Sequence, residues 1–124
     1  MAISQDFLDF LHDQLHGLGH ITTRRMFSGA AIYCDSVVFA LVLRDVLYFK
    51  VDDGNRGAYE AERLEPFTYQ SRGKSVRMKA YRRVPERLFD DPDEMLAWAR
   101  AALAAGQRAV SKSKPKRRRS RRAD

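Results

Sequence analysis

The segment Val37–Leu43 constrains the fold most, because all seven of its residues are apolar. Side chains along a strand alternate between two faces, so a strand that is apolar on both needs partner strands beside it and helices that cover it. Two further apolar runs with β-branched and aromatic residues lie at 30–34 and 46–51, and polar pairs at 35–36 and 44–45 separate them. The sequence therefore predicts an antiparallel three-stranded meander with Val37–Leu43 at the centre of the core.

An amphipathic helix is predicted at each end of the domain. The first begins after Ser4, a preferred N-cap residue, and ends near Gly17. The last begins at Pro92 with Asp91 as its cap and ends near Gly106. Their apolar stripes are Ile3, Phe7, Leu8, Leu11, Leu15 and Leu18 in the first helix and Met95, Trp98, Ala99, Ala102 and Leu103 in the last. The helical spacing of both stripes predicts that both helices bury one side.

A short helix and a hairpin are predicted between the meander and the last helix. Asn55 can cap two helical turns over residues 56–62, and Pro66 stops them. Strands at 67–70 and 75–84 then form a hairpin, whose second strand has a core face of Val76, Met78 and Ala80 and an outward face of Arg77, Lys79 and Tyr81. The predicted fold class is α+β: an antiparallel sheet, a meander plus a hairpin, backed by the N-terminal and C-terminal helices as a two-layer sandwich.

The net charge of the chain lies entirely in its last fourteen residues. They hold eight of the 23 Lys and Arg residues and one of the 16 Asp and Glu residues, so residues 1–110 are electrically balanced and the whole chain carries +7. The eight cations are Lys112, Lys114, Lys116, Arg117, Arg118, Arg119, Arg121 and Arg122. Such a segment repels itself and attracts polyanions by releasing their counterions. We expect one domain at 1–110 and a disordered basic tail at 111–124 that binds nucleic acid, DNA or RNA, without sequence preference.

Several functional classes are disfavoured by what the sequence contains. His12, His16 and His20 are spaced four residues apart, but no other histidine completes a metal site. Cys34 is the only cysteine, which fits a reducing compartment, and its apolar neighbours indicate a buried structural thiol. We find no nucleophile, base and acid set and no glycine-rich phosphate loop. An enzyme is not expected, nor is a metal or cofactor.

The apolar runs are also too short to cross a bilayer, which takes about 20 apolar residues. We therefore expect a cytoplasmic protein that does not bind membranes.

A second basic region lies in the predicted hairpin. Its cations are interleaved with Tyr69 and Tyr81, and this mixture occurs in surfaces that bind polyanions. They are Arg77, Lys79, Arg82 and Arg83, with Arg63, Arg72, Lys74 and Arg87 around them. The alternative is a solvated outer face in which the cations pair with Glu60, Glu62, Glu65 and Glu86.

Six short motifs, in order along residues 5–105, resemble the N-terminal domain of the TfoX/Sxy family. They are RRMFSGA at 24–30, FAL at 39–41, LYFKVD at 47–52 followed by NR at 55–56, PFTY at 66–69, YRRVPE at 81–86 and WAR at 98–100. The resemblance implies an α+β domain of bacterial regulators linked to natural competence, not known as an enzyme. In the best studied members it implies action with the cyclic-AMP receptor protein at promoters.

The chain departs from the family pattern in two ways. Full-length members add a C-terminal helical domain where this sequence has its basic tail, and residues 80–83 are more basic than the family tends to be. Arg24, Arg25, Lys50 and Asn55 match polar positions of the family motifs, so the resemblance implies an internal network or a partner contact there. The arginine pair could hold a turn through carboxylates such as those at 52–53.

The two functional hypotheses come from different classes. The first is a nonenzymatic regulatory or adaptor domain that binds a protein, either a transcription factor or a second copy of itself, while the tail adds affinity for nucleic acid. The alternative is a small-molecule domain with a pocket between the sheet and the helices, where Arg24, Arg25 or Lys50 holds an anion.

Overall fold

The fold is an antiparallel sheet with helices packed on one face. The computed structural model describes residues 4–26 and 29–122, except the side chains of residues 26, 69 and 113–122. The helices are α1 (Gln5–Leu15), α2 (Arg56–Ala61) and α3 (Pro92–Arg122), with short 3-10 turns at His16–Leu18 and Glu86–Asp90. The strands are β1 (Ile21–Met26), β2 (Gly29–Cys34), β3 (Val37–Leu43), β4 (Val46–Lys50), β5 (Pro66–Ser71) and β6 (Lys74–Arg83). The predicted α+β class is confirmed.

The six strands of the described chain form one sheet in the order β1-β2-β3-β4-β6-β5, so β3 lies inside it as predicted. The register between β2 and β3 shifts after Ile32, which pairs with Ala40, because the next residue, Tyr33, pairs with Val38. Phe39 is therefore an extra residue, and this bulge lets it and Ala40 both be fully buried in the core. The ring of Phe39 lies 5.9 Å from that of Phe49 on β4.

The two long helices begin where the sequence places them. The hydroxyl of Ser4 accepts a hydrogen bond from the backbone N–H of Phe7 (3.1 Å), and the carboxylate of Asp91 accepts one from the N–H of Glu94 (3.1 Å). Both side chains thus satisfy N–H groups that a first helical turn leaves unpaired.

Helix α3 does not end at Gly106, and that prediction is wrong. The helix continues to Arg122 and packs small residues against β3 as it passes the sheet. A Cβ atom on Gly106 would lie 2.6 Å from the carbonyl oxygen of Val38 and 2.9 Å from a methyl carbon of Val37. Glycine is required here because the helix approaches the strand backbone too closely for any side chain.

The backbone of the basic segment is helical to Arg122 in the structure. The division of the chain into a domain at 1–110 and a disordered tail at 111–124 stays a prediction.

Two details of the sequence-based description need correction. Strand β1 was not predicted; its residues Thr22–Arg25 are polar and exposed at the edge of the sheet. Tyr81, assigned to the outward face of the hairpin, is only 6% exposed. A register irregularity follows Pro66, where Phe67 pairs with Met78, and it interrupts the alternation on which that assignment relied.

Replacing Gly106 with alanine should destabilise the domain. Alanine favours a helix by about 1 kcal/mol over glycine, but its Cβ would collide with the Val38 carbonyl, and overpacking of this kind costs about 1–3 kcal/mol. Gly57 in α2 is the matched control, because a Cβ there meets nothing within 4 Å. We expect Gly106→Ala to lower the free energy of unfolding in urea and Gly57→Ala to raise it by up to about 1 kcal/mol. A higher free energy of unfolding for Gly106→Ala would contradict the close contact between α3 and β3.

Candidate functional site

Asn55 organises a polar corner at the end of β4. It is 9% exposed, and its amide nitrogen donates to the carbonyl oxygen of Lys50 (3.0 Å) while its amide oxygen accepts from the backbone N–H of Asp52 (2.8 Å). The side chain makes no cap hydrogen bond to α2, so the prediction that it acts as an N-cap is wrong. It instead joins the end of β4 to the loop that follows, which is an internal structural role.

Asp52 in this loop binds Arg108 of α3 through two hydrogen bonds of 2.7 Å each. The hydrogen bonds from Arg108 are the main reason that the pKa of the Asp52 carboxyl falls from 3.8 to about 2, with partial burial acting in the opposite direction. The planar fork of an arginine matches a carboxylate in this geometry. Arg108 thus ties the last turn of α3 that lies against the domain to the β4–α2 loop.

The arginine pair of β1 does not hold this loop. Arg25 donates to the side-chain oxygen of Gln5 on α1 (2.9 Å), and Arg24 is exposed and pairs in register with Ala31. The expectation that they bind Asp52 or Asp53 is wrong, because Arg108 and Arg56 take those carboxylates. Arg24, Arg25 and Lys50 also do not converge on one anion site, since Lys50 lies over the ring of Tyr81, 5.0 Å from its centre.

Some basic residues of the hairpin and its flank pair with carboxylates, and others do not. Arg82 is largely buried, with its guanidinium 3.7 Å from Glu60 and 3.3 Å from the carbonyl oxygen of Leu64. Arg83 contacts Glu86 at 3.5 Å. These contacts fit the alternative of a paired outer face at Arg82 and Arg83 alone. Arg77 and Lys79, by contrast, are exposed on β6.

Arg87 is the centre of an ion-pair network; the sequence placed it only among cations that Glu62 and other carboxylates could pair with, and it did not indicate Glu94. Its guanidinium binds Glu62 after α2 (2.6 and 2.7 Å) and Glu94 in α3 (2.8 and 3.0 Å), and it lies 5.9 Å from the Trp98 ring. The hydrogen bonds from Arg87 lower the pKa of both carboxyls. The signal was weak because the three charged residues are far apart in sequence.

The cations of the predicted tail lie beyond the packed part of α3. Residues 107–112 are exposed, and Lys112 is among them. The side chains of the other seven lie outside the described residues: Lys114, Lys116, Arg117, Arg118, Arg119, Arg121 and Arg122.

No metal or nucleophilic centre is found in the parts of the chain that the structure describes. No group of three or more His, Cys, Asp and Glu side chains there could hold an ion. Cys34 is fully buried, and burial is the main reason that its thiol pKa is raised, with neighbouring Asp35 adding to the effect. A thiol with a raised pKa is a poor nucleophile. Among the same described residues, no helix combines the length and the apolar character that crossing a membrane requires.

Comparison with known families identifies the family to which this chain belongs. The family model described as the TfoX N-terminal domain matches residues 13–106. The chain belongs to the TfoX N-terminal domain family. This is a family of competence-related regulatory domains. Comparison with curated proteins finds no match.

The TfoX N-terminal match covers the sheet, α2 and the packed part of α3, and it stops at the glycine that contacts β3. Arg108 and all the cations of the basic segment lie after the matched residues. The residues that carry the net charge of the chain therefore lie outside the part that the TfoX N-terminal model matches.

Replacing Arg108 with glutamine should raise the pKa of Asp52 from about 2 toward 3.8. A folded-state pKa below the unfolded value stabilises the fold above the unfolded pKa, and this contribution is lost as pH falls through the folded one. The wild-type chain should therefore be more stable than Arg108→Gln at pH 6, and the difference should shrink as pH falls from about 4 toward 2. NMR titration of the Asp52 carboxyl carbon and urea unfolding measure the two effects. A pKa unchanged by the substitution would contradict the pairing.

Proposed function

We propose that this protein is a nonenzymatic regulatory adaptor, in which the TfoX N-terminal domain binds a transcription factor and the basic segment at 111–124 binds nucleic acid without sequence preference. The observation that carries the proposal is the segregation of charge. The eight cations after residue 110 account for the entire net charge of +7.

Pairing within the domain strengthens this segregation. Arg87 and Arg108 each bind carboxylates with two short hydrogen bonds to one partner, and Arg82 and Arg83 lie beside Glu60 and Glu86. A cation that already has a carboxylate partner contributes little to the long-range field. A polyanion is therefore attracted mainly to the basic segment.

The expected binding is to phosphate groups rather than to bases. Arg and Lys find phosphates readily, whereas reading a base requires a side chain that a rigid element positions in a groove. The segment should therefore bind many sequences with similar affinity, in DNA and in RNA.

The family supports a regulatory role and a protein partner, since TfoX N-terminal domains are competence-related regulators. A transcription factor is the partner that this role favours. A second copy of the chain is the other partner that we predict from the sequence.

Truncation after Val110 should remove most of the affinity for nucleic acid. If all eight cations contact phosphates, the logarithm of affinity should fall with the logarithm of salt with a slope toward about −7 for duplex DNA. Fluorescence anisotropy with a labelled duplex between 50 and 200 mM salt, roughly the range over which such contacts are lost, measures the slope for the full chain and for the truncated one.

Two controls make this test specific. A double variant of the exposed body cations, Arg77→Gln with Lys79→Gln, should leave the slope nearly unchanged, and a duplex of shuffled sequence should bind equally well. Equal affinity of the full and truncated chains at low salt would remove the basic segment from the mechanism.

A further inference from the structure

The sheet face opposite the helices forms a cleft of about 950 Å³. Its lining is mainly apolar and comes from both ends of the sheet. From β2 and β3 it includes Ala31, Tyr33, Val38, Leu41 and Leu43, and from β5 and β6 it includes Phe67, Met78 and Tyr81. A volume of this size lies at the upper end of the range for small-molecule sites, which is about 300–1,000 Å³.

The lining of the cleft indicates that the sheet is curled. Strands β2 and β5 line the same cleft, although β3, β4 and β6 separate them in the sheet. Neighbouring strands are about 4.8 Å apart, so a flat sheet would hold β2 and β5 about 19 Å from each other. Curling brings the β5–β6 hairpin toward β2 and makes the open face concave.

The wall on the hairpin side is held by aromatic contacts. The rings of Tyr48 and Phe67 meet edge to face with centres 4.8 Å apart. Tyr81 is 6% exposed, and Lys50 lies over its ring. These side chains are already packed, so the wall is formed before any ligand binds.

Among the residues that the structure describes, Arg44 is the only charged one in the lining of this cleft, and no carboxylate of theirs lines it. The residue lies in the turn between β3 and β4 with a φ of 54°. No ion pair joins Arg44 to any residue that the structure describes. The cleft thus combines a broad apolar wall with one uncompensated positive charge at its β3–β4 end.

We propose that this cleft binds a small amphipathic anion, with its apolar body against Leu41 and Met78 and its anionic group at Arg44. The ligand class follows from the lining: an apolar wall favours an alkyl or aryl body, and the guanidinium favours a carboxylate or a similar group. The site differs from the sequence-based alternative, because the space between the sheet and the helices is filled by the hydrophobic core.

The concave shape disfavours a second copy as the occupant. A two-fold dimer places the same patch of both subunits in contact, so the patch must be complementary to itself. Two concave faces meet only at their rims and leave the apolar wall uncovered. Nucleic acid is also disfavoured, because much of the wall is aliphatic and Arg44 is the one described cation in the lining that could contact phosphates.

Three eight-carbon probes with an anionic, a neutral and a cationic head group test the proposal: octanoate, octanol and octylammonium. We expect the full chain to bind octanoate most tightly and octylammonium least tightly in calorimetric titrations. Methyl NMR should show the largest shifts at Val38, Leu41 and Met78.

Two variants and a matched control locate the site. Arg44→Asn removes the charge but keeps a residue that tolerates positive φ, and it should weaken octanoate about three- to fivefold while leaving octanol unchanged. Leu41→Trp should fill the cleft and weaken octanoate and octanol alike. Arg72→Asn is the control, because Arg72 is also an exposed turn arginine, with a φ of 52°, but does not line the cleft. It should change no affinity.

Three results would overturn the proposal. One is equal binding of all three probes, and another is a loss with Arg72→Asn as large as that with Arg44→Asn. The third is a chain that binds no probe but forms a dimer that Leu41→Trp dissociates, since a second copy would then occupy the face. Circular dichroism checks that each variant is folded. If Leu41→Trp does not fold, the comparison of Arg44→Asn with Arg72→Asn tests the proposal by itself. None of these outcomes depends on the basic segment, so the test is separate from that of nucleic-acid binding.

Discussion

The close contact between α3 and β3 determines how the rest of the domain is arranged. The residues of α3 that make it are small and almost fully buried: Ala99, Ala102, Ala105 and Gly106. Because Gly106 has no side chain, the helix reaches the backbone of β3 at Val38. The same contact fixes the direction of α3, and two residues later Arg108 reaches Asp52. The helices cover one face of the sheet as a result, and the opposite face is left open.

Arginines along α3 and its flank serve two different purposes. Arg87 and Arg108 bind carboxylates inside the domain and lower the pKa of those partners. Their charge is neutralised locally, so they stabilise the arrangement of helices and loops and attract little from solution. The eight cations after residue 110 have only one acidic residue, Asp124, near them in sequence. A single helix therefore carries both the attachment to the domain and the charge that we propose for nucleic acid.

The sequence predicts the parts of the fold that follow from periodicity. It does not predict the parts that depend on contacts between residues far apart in the chain. The all-apolar β3 and the capped long helices were predicted because burial and capping leave a local pattern. The polar edge strand β1 leaves no such pattern. In the sequence, Gly106 indicates a helix end. Its role in packing becomes visible only from its distance to Val38 in the structure. The pairing of Asp52 with Arg108 spans 56 residues. The position of Tyr81 depends on a bulge that alternation does not reveal.

The helix that leads to the basic segment packs on one face of the sheet and the cleft lies on the opposite face, so β3 is in contact with both. The carbonyl oxygen of Val38 lies against Gly106 on the helix face, and Val38 also lines the open cleft. A ligand affects α3 only if it binds more tightly to one of two positions of that helix, because equal affinity for both shifts no population. Close packing leaves no free space between Gly106 and Val38 to absorb a movement of the strand. A movement of β3 at Val38 must therefore be accommodated by α3 at this contact.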